Sequence, residues 1–145
     1  VAMIRPRAGD FVWSEAEVGM MEVEIAEVRA AGLQGVVLGA SRPDGRLDVP
    51  VLRRLVSAAG GLGAFERVLH RCIDLAPDMG AALEEAVALG FHRILTSGGE
   101  TTAEAGLARI AALLGQAAGR ITVMPGSGVT PGNAAMLKGL GITEE

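Results

Sequence analysis

The feature that most constrains this chain is a fivefold alternation of short apolar runs with amphipathic helical segments. The runs begin near residues 1, 35, 65, 92 and 121, so successive starts lie 34, 30, 27 and 29 residues apart. Four are plain, Val1–Ile4, Gly35–Gly39, Arg93–Thr96 and Ile121–Met124, and Phe65–Arg71 is weaker. Short continuous runs without strict alternation suit strands buried on both faces, as in a parallel sheet. Each run is followed by helix punctuation. Ser14-x-x-Glu17 matches a capping box, Val18, Met21, Ile25 and Val28 follow at helical spacing, and Gly32 stands at the stop. Asp48 with Pro50 opens the second helix, whose inner face is Leu52, Leu55, Val56 and Ala59. Asp78 opens the third, with Leu83, Ala86 and Val87 before Gly90. Thr101-x-x-Glu104 opens the fourth, with Leu107, Ile110, Ala111 and Leu114. Thr130 and Pro131 open the fifth, with Met136, Leu137 and Leu140.

Repeated βα units of this size build either an open doubly wound sheet or part of a (β/α)8 barrel. No G-x-G-x-x-G follows the first run and no Walker A sequence occurs, which removes the usual dinucleotide and P-loop readings. Even spacing favours the barrel, whose complete form takes eight units and about 250 residues. The expected fold is therefore α/β, one partial TIM-type barrel domain over residues 1–145 with five βα units. Both ends read as cut, because the chain opens at Val1 inside an apolar run and closes at Glu145 just after a helix. A barrel truncated at its edges, or closed by a partner chain, is the expectation.

Composition narrows the function classes. Half the residues are hydrophobic, with three Phe, one Trp and no Tyr, so an aliphatic core is available and disorder is excluded. A net charge of −4 and a pI near 5.2 argue against a general nucleic-acid binder, which needs a basic face. No apolar run approaches the roughly 18 residues of a membrane span, and Val1–Arg7 does not read as a signal peptide. The single cysteine, Cys72, fits a reducing cytoplasm. The twenty-one glycines point to many short loops.

Ligands of such folds bind beyond the carboxyl ends of the strands, which sorts the polar residues by position. Arg5 and Arg7 leave the first run two residues apart, so they suit a phosphate or carboxylate, or salt bridges to Asp10 or Glu15. His70, Cys72 and Asp74 share one parity at the end of the weak run, with Arg71 on the other. His70 is an acid, base or hydrogen-bond donor candidate. Cys72 and His70 are weak metal candidates, because one strand cannot wrap a metal and no second thiol exists; Cys72 also reads as a small buried hydrophobe. His92 stands at a strand entry, where a structural role is expected. Thr96-Ser97-Gly98-Gly99 and Pro125-Gly126-Ser127-Gly128 leave the fourth and fifth runs toward helix starts. Such loops bring backbone N–H groups to an anion, or simply make tight turns. The helix faces show no exposed apolar stripe that would argue for assembly alone.

Several of these stretches together resemble one family. Met3-Ile4-Arg5-Pro6-Arg7 with Gly9-Asp10-Phe11 resembles the signature of the CutC family, proteins linked to copper homeostasis. The likeness continues through Gly35–Gly39, Pro43-Asp44-Gly45, Asp48, His70-Arg71, Asp74, Arg93–Gly98 and Met124–Val129. It implies a TIM-type barrel of which these are strands three to seven. It also implies a cytoplasmic, copper-binding protein that forms a homo-oligomer. The cysteines proposed as copper ligands in that family lie on early strands outside this chain. Cys72 stands where a small residue is usual, Ser127 in a glycine stretch and Trp13 where Tyr is common, so Cys72 inherits no ligand role. Matching positions place Arg5, Arg7, His70, Arg71, Asp74 and Ser97 at the mouth.

Two functions stand side by side. One is a copper homeostasis protein with copper as its ion, implied by resemblance alone. The other is an enzyme or sensor for a small anionic or phosphorylated metabolite. There His70 and Asp74 are the catalytic candidates, and Arg5, Arg7, Arg71, Ser97, Gly126 and Gly128 the anion-binding ones.

Overall fold

Five strands form where the apolar runs lie. In the computed structural model, which describes residues 1–61 and 63–141, they are β1 (Ala2–Met3), β2 (Gly35–Leu38), β3 (Glu66–Leu69), β4 (Arg93–Thr96) and β5 (Thr122–Pro125). Every neighbouring pair is parallel and the spatial order is β1-β2-β3-β4-β5. Each crossover thus moves one strand further in the same direction. A doubly wound sheet reverses at a switch point, whereas unbroken order is that of a barrel wall. The fold is a partial TIM-type α/β barrel of five units, with β1 and β5 unpaired to one another among the described residues. The final residues 142–145 lie outside the described residues.

The helices are α1 (Glu15–Ala30), α2 (Val49–Ala58), α3 (Met79–Ala88), α4 (Leu107–Ala117) and α5 (Pro131–Lys138). Ser14 and Glu17 form a reciprocal capping box, Asp48 and Asp78 accept from Val51 and Ala81 N–H, and Thr130 pairs with Asn133 in a second box. Each such cap is worth about 1 kcal/mol. Alternate strand positions Ile4, Val36, Leu38, Leu69, Ile94 and Val123 join Met21, Ile25, Leu52, Leu55, Leu83 and Ile110 in one buried cluster. Burying each large side chain contributes about 1.5–3 kcal/mol. The intervening positions Val37, Leu95 and Met124 are half-buried and Met3 is exposed, so the helix-facing side carries most of the core.

Four expectations change. The third run ends at Leu69, and Arg71–Leu75 is a 3₁₀ turn. His70 caps that turn, because its Nδ1 accepts from Cys72 N–H at 3.2 Å, and a local side-chain bond of this kind competes with the strand ladder. The fourth helix begins at Leu107, not at Thr101. The intervening turn is tied elsewhere: Ala103 N–H donates to Ser127 O and Thr102 Oγ1 accepts from Ala105 N–H. Met136 is exposed, with Leu137 taking the buried position on α5. On α1, Ala16, Gly19, Met20 and Val23 line one shallow surface with Met20 and Val23 exposed, so a helix does carry an apolar stripe.

At the amino end of the strands, Arg67 is the notable buried polar residue. Its guanidinium donates to the carbonyls of Gly61 and Phe65, which follow α2, and of Gly90, which follows α3. Cationic charge there is favoured by the carbonyl ends of two helices. Burial still holds this guanidinium below its ordinary range. His92 Nδ1 accepts from Arg67 N–H at 3.1 Å, a structural placement.

Candidate functional site

The carboxyl ends of the strands emit the loops that carry nearly all the candidate residues. The β4 loop is organised around Asp74, which comes from the 3₁₀ turn after β3. Its carboxylate accepts from the Thr96 hydroxyl, from Ser97 N–H at 3.1 Å, from Gly99 N–H at 3.3 Å and from Arg71 Nε at 2.8 Å. Gly98 N–H donates to Thr96 Oγ1 at 2.9 Å. Arg71 Nη2 also donates to Ser97 Oγ at 2.7 Å, so Arg71, Asp74 and Ser97 form one connected group. With the Asp74 side chain only 6% exposed, this loop cradles an anion that belongs to the protein itself.

The β5 loop differs. Gly126 N–H donates to Thr96 O at 2.8 Å, and a Cβ there would lie 2.6 Å from Leu95 Cδ1, so Gly126 serves close packing. Ser127 and Gly128 both have left-handed backbone, with φ of 79° and 68°. Ser127 is held so by its hydroxyl donating to Thr101 O at 2.8 Å. The N–H groups of Ser127, Gly128 and Val129 meet no protein acceptor among the described residues. Turned backbone with successive exposed N–H groups is anion-binding geometry.

The two arginines after β1 are also unlike. Arg7 is fully engaged by Glu17 at 2.7 Å, Asp10 at 2.9 Å and Val12 O, over the Trp13 ring. Both carboxyls are held below their usual range: that of Asp10 by the Arg7 guanidinium first, that of Glu17 by Ser14 N–H and then by Arg7. Glu15, the other expected partner, pairs with Arg54 instead. Among the described residues Arg5 donates only to the carbonyls of Arg7 and Gly9, and it lies 4.8 Å over the Phe11 ring.

His70 is shut beneath that ring, with centroids 4.5 Å apart. Its Nδ1 accepts from Cys72 N–H, so in the neutral ring Nε2 carries the proton, and Nε2 has no partner among the described residues. Burial, reinforced by the Arg5 charge, lowers its pKa to about 4. A buried donor without an acceptor costs about 1–3 kcal/mol. Cys72 is wholly buried, and burial pushes its thiol up to about 12.

These placements decide how copper would fare. Copper takes a thiolate or an imidazole lone pair. Here the thiol keeps its proton, and the Nδ1 lone pairs of His70 and His92 are each occupied by a backbone N–H. Among the described residues no three His, Cys, Asp or Glu side chains cluster to hold an ion. The described residues do not fit a copper site.

A sequence model of the CutC family matches residues 1–145. The chain belongs to the CutC family. It is 54% identical over 136 residues to a CutC family protein of Sinorhizobium medicae, covering 94% of this chain and 54% of that one. It is 53% identical over 143 residues to one of Agrobacterium fabrum, covering 98% and 56%. The chain thus spans about half the length of these curated relatives. The crystal structure of the CutC protein of Streptococcus agalactiae, described as a candidate copper homeostasis protein, superposes with a TM-score of 0.89 at 32% identity, over 96% of this chain and 67% of that one. No helix among the described residues is long and apolar enough to cross a membrane.

The structure thus joins Arg71, Asp74 and Ser97, sets Arg5 beside Phe11 and His70, and keeps Gly126 and Gly128 in a separate loop. Sequence reasoning missed Phe11 and Gly39, which seat His70. A Cβ on Gly39 would fall 2.3 Å from His70 Cε1 and 2.5 Å from Cys72 Sγ, and only the contact itself reveals that.

Proposed function

We propose that this protein serves copper homeostasis in the cytoplasm, as a homo-oligomer, and that the described residues recognise a small anionic metabolite rather than coordinate copper. The name given to the Streptococcus agalactiae protein supports the copper homeostasis reading; the cytoplasm and the homo-oligomer rest on the family resemblance of the sequence. The anion reading is carried by one observation: three successive N–H groups of the β5 loop, at Ser127, Gly128 and Val129, meet no protein acceptor among the described residues at the carboxyl-end mouth. Late-strand loops of this kind form the usual phosphate site of TIM-type barrels. Any copper contact of the whole protein then lies outside the described residues.

Titration of the full chain with inorganic phosphate, followed by amide NMR, tests this reading. Saturable shifts at Ser127, Gly128 and Val129 are expected, with Ser97 and Gly99 unmoved because Asp74 already occupies their N–H groups. Unmoved β5-loop amides overturn it. Titration with Cu(I) should give the same weak response for the chain and for Cys72→Ser; a stoichiometric site lost in C72S overturns the exclusion of copper from these residues.

A further inference from the structure

We propose that the His92 ring is an acid-released latch on the seam between β3 and β4, holding its amino end shut only while the ring is neutral.

The seam is narrow. Two residue pairs are in register across it, Val68 with Arg93 and Leu69 with Ile94, against four between β2 and β3 and four between β4 and β5. Beyond its carboxyl end, Asp74 ties the turn after β3 to Thr96 and Ser97. Its amino end is closed by His92, whose N–H donates to Arg67 O at 2.9 Å and whose Nδ1 accepts from Arg67 N–H at 3.1 Å. Glu66 and His70 N–H donate toward β2, so Arg67 N–H turns toward β4, where a regular ladder would offer a carbonyl. A titratable ring takes that carbonyl's place.

The ring cannot hold a second proton where it stands. With Nδ1 accepting, the neutral ring keeps its proton on Nε2, and Nε2 faces Arg67 Nη2 at 3.4 Å. An imidazolium would set an N–H on each nitrogen against two donors of one arginine, the second of them charged. Among the described residues neither nitrogen has a carboxylate partner. The other charges nearby are Arg93, which also opposes the charged ring, and Glu66, which favours it but is paired with Arg93. Burial and then the Arg67 charge lead, so His92 titrates below its ordinary 6.5. Because His92 is exposed, the protonated ring can leave by turning to solvent. Arg67 N–H then loses its acceptor, while the Arg67 guanidinium keeps the carbonyls of Gly61, Phe65 and Gly90. Acid therefore frays the backbone of the seam from its amino end and leaves the buried charge in place.

The test follows the full 15N-labelled chain by NMR from pH 7.5 to 4.5. Release grows about tenfold for each pH unit below 6.5 until the ring titrates in place, so protection of Arg67 N–H against exchange should fall by that factor. In His92→Asn the amide oxygen accepts from Arg67 N–H and does not titrate, so protection there should fall far less. His70 contributes the same acid loss to both chains, and the difference between them isolates His92. On the parent chain alone, the His92 ring and the Arg67 amide should share one midpoint, which decides the matter even where H92N fails to fold. Equal loss of protection in both chains, a ring that titrates at 6.5 or above, or an Arg67 amide unmoved as the ring charges overturns the proposal.

Discussion

The loops after β4 and β5 read alike, Thr96-Ser97-Gly98-Gly99 against Pro125-Gly126-Ser127-Gly128, yet they end in opposite states. The first wraps its N–H groups around Asp74, while the second leaves those of Ser127, Gly128 and Val129 without a protein acceptor among the described residues. The arginines repeat the contrast, Arg7 held by two carboxylates and Arg5 by none among the described residues. A glycine-rich loop or a strand-end arginine therefore reports the capacity to hold an anion. Whether a place remains for a foreign one depends on where the protein's own carboxylates fall.

The largest expected effect breaks the occupied loop. Asp74→Ala strands the Thr96 hydroxyl, two N–H groups and the Arg71 guanidinium, and should cost about 4 kcal/mol in urea denaturation. Added phosphate should then stabilise D74A more than the parent chain, converting the β4 loop into what the β5 loop already is. Equal stabilisation of both would break the comparison.

Next is the buried His70, whose protonated form is opposed by burial and by the Arg5 charge. His70 has a folded pKa of about 4 against an ordinary value of 6.5. On acidification the unfolded chain takes up a proton that the folded one refuses. Stability is therefore full above pH 6.5 and falls as the pH drops toward 4, by about 3 kcal/mol across that window. Denaturation midpoints for the chain and for His70→Gln, compared at pH 7.5 and 4.5, should show the variant with a shallower decline. Parallel declines would place the pH dependence elsewhere.

The smallest effect separates the arginines. Arg7→Gln should lower the thermal midpoint, because Arg7 ties Asp10 to Glu17, the residue that closes the α1 capping box. Arg5→Gln should leave it nearly unchanged. Added salt should narrow the difference by screening the Arg7 pairs.

Strand order and helix starts were legible because they rest on local chemistry: continuous apolar runs, and Ser14, Asp48, Asp78 and Thr130 as caps. The fourth helix start was not, since Thr101–Glu104 mimics a cap whose backbone is drawn off by the distant Ser127. Reading His70, Cys72 and Asp74 by strand parity failed for a related reason. Once the chain turns after Leu69, His70 faces Phe11 while Asp74 faces Thr96 and Ser97. Residue types at the mouth could be listed from the chain, but partners separated by 20 or more residues could not.

Arg67 has a consequence for how the molecule comes apart. Its guanidinium gathers carbonyls from behind α2 and from behind α3, so neither helix end can open without stranding a charge that the other also uses. The middle of the wall should therefore exchange its amide protons as one slow block, with β1 and β5 exchanging ahead of it. If the mouth loops move to admit a ligand, they do so on a hub that stays closed.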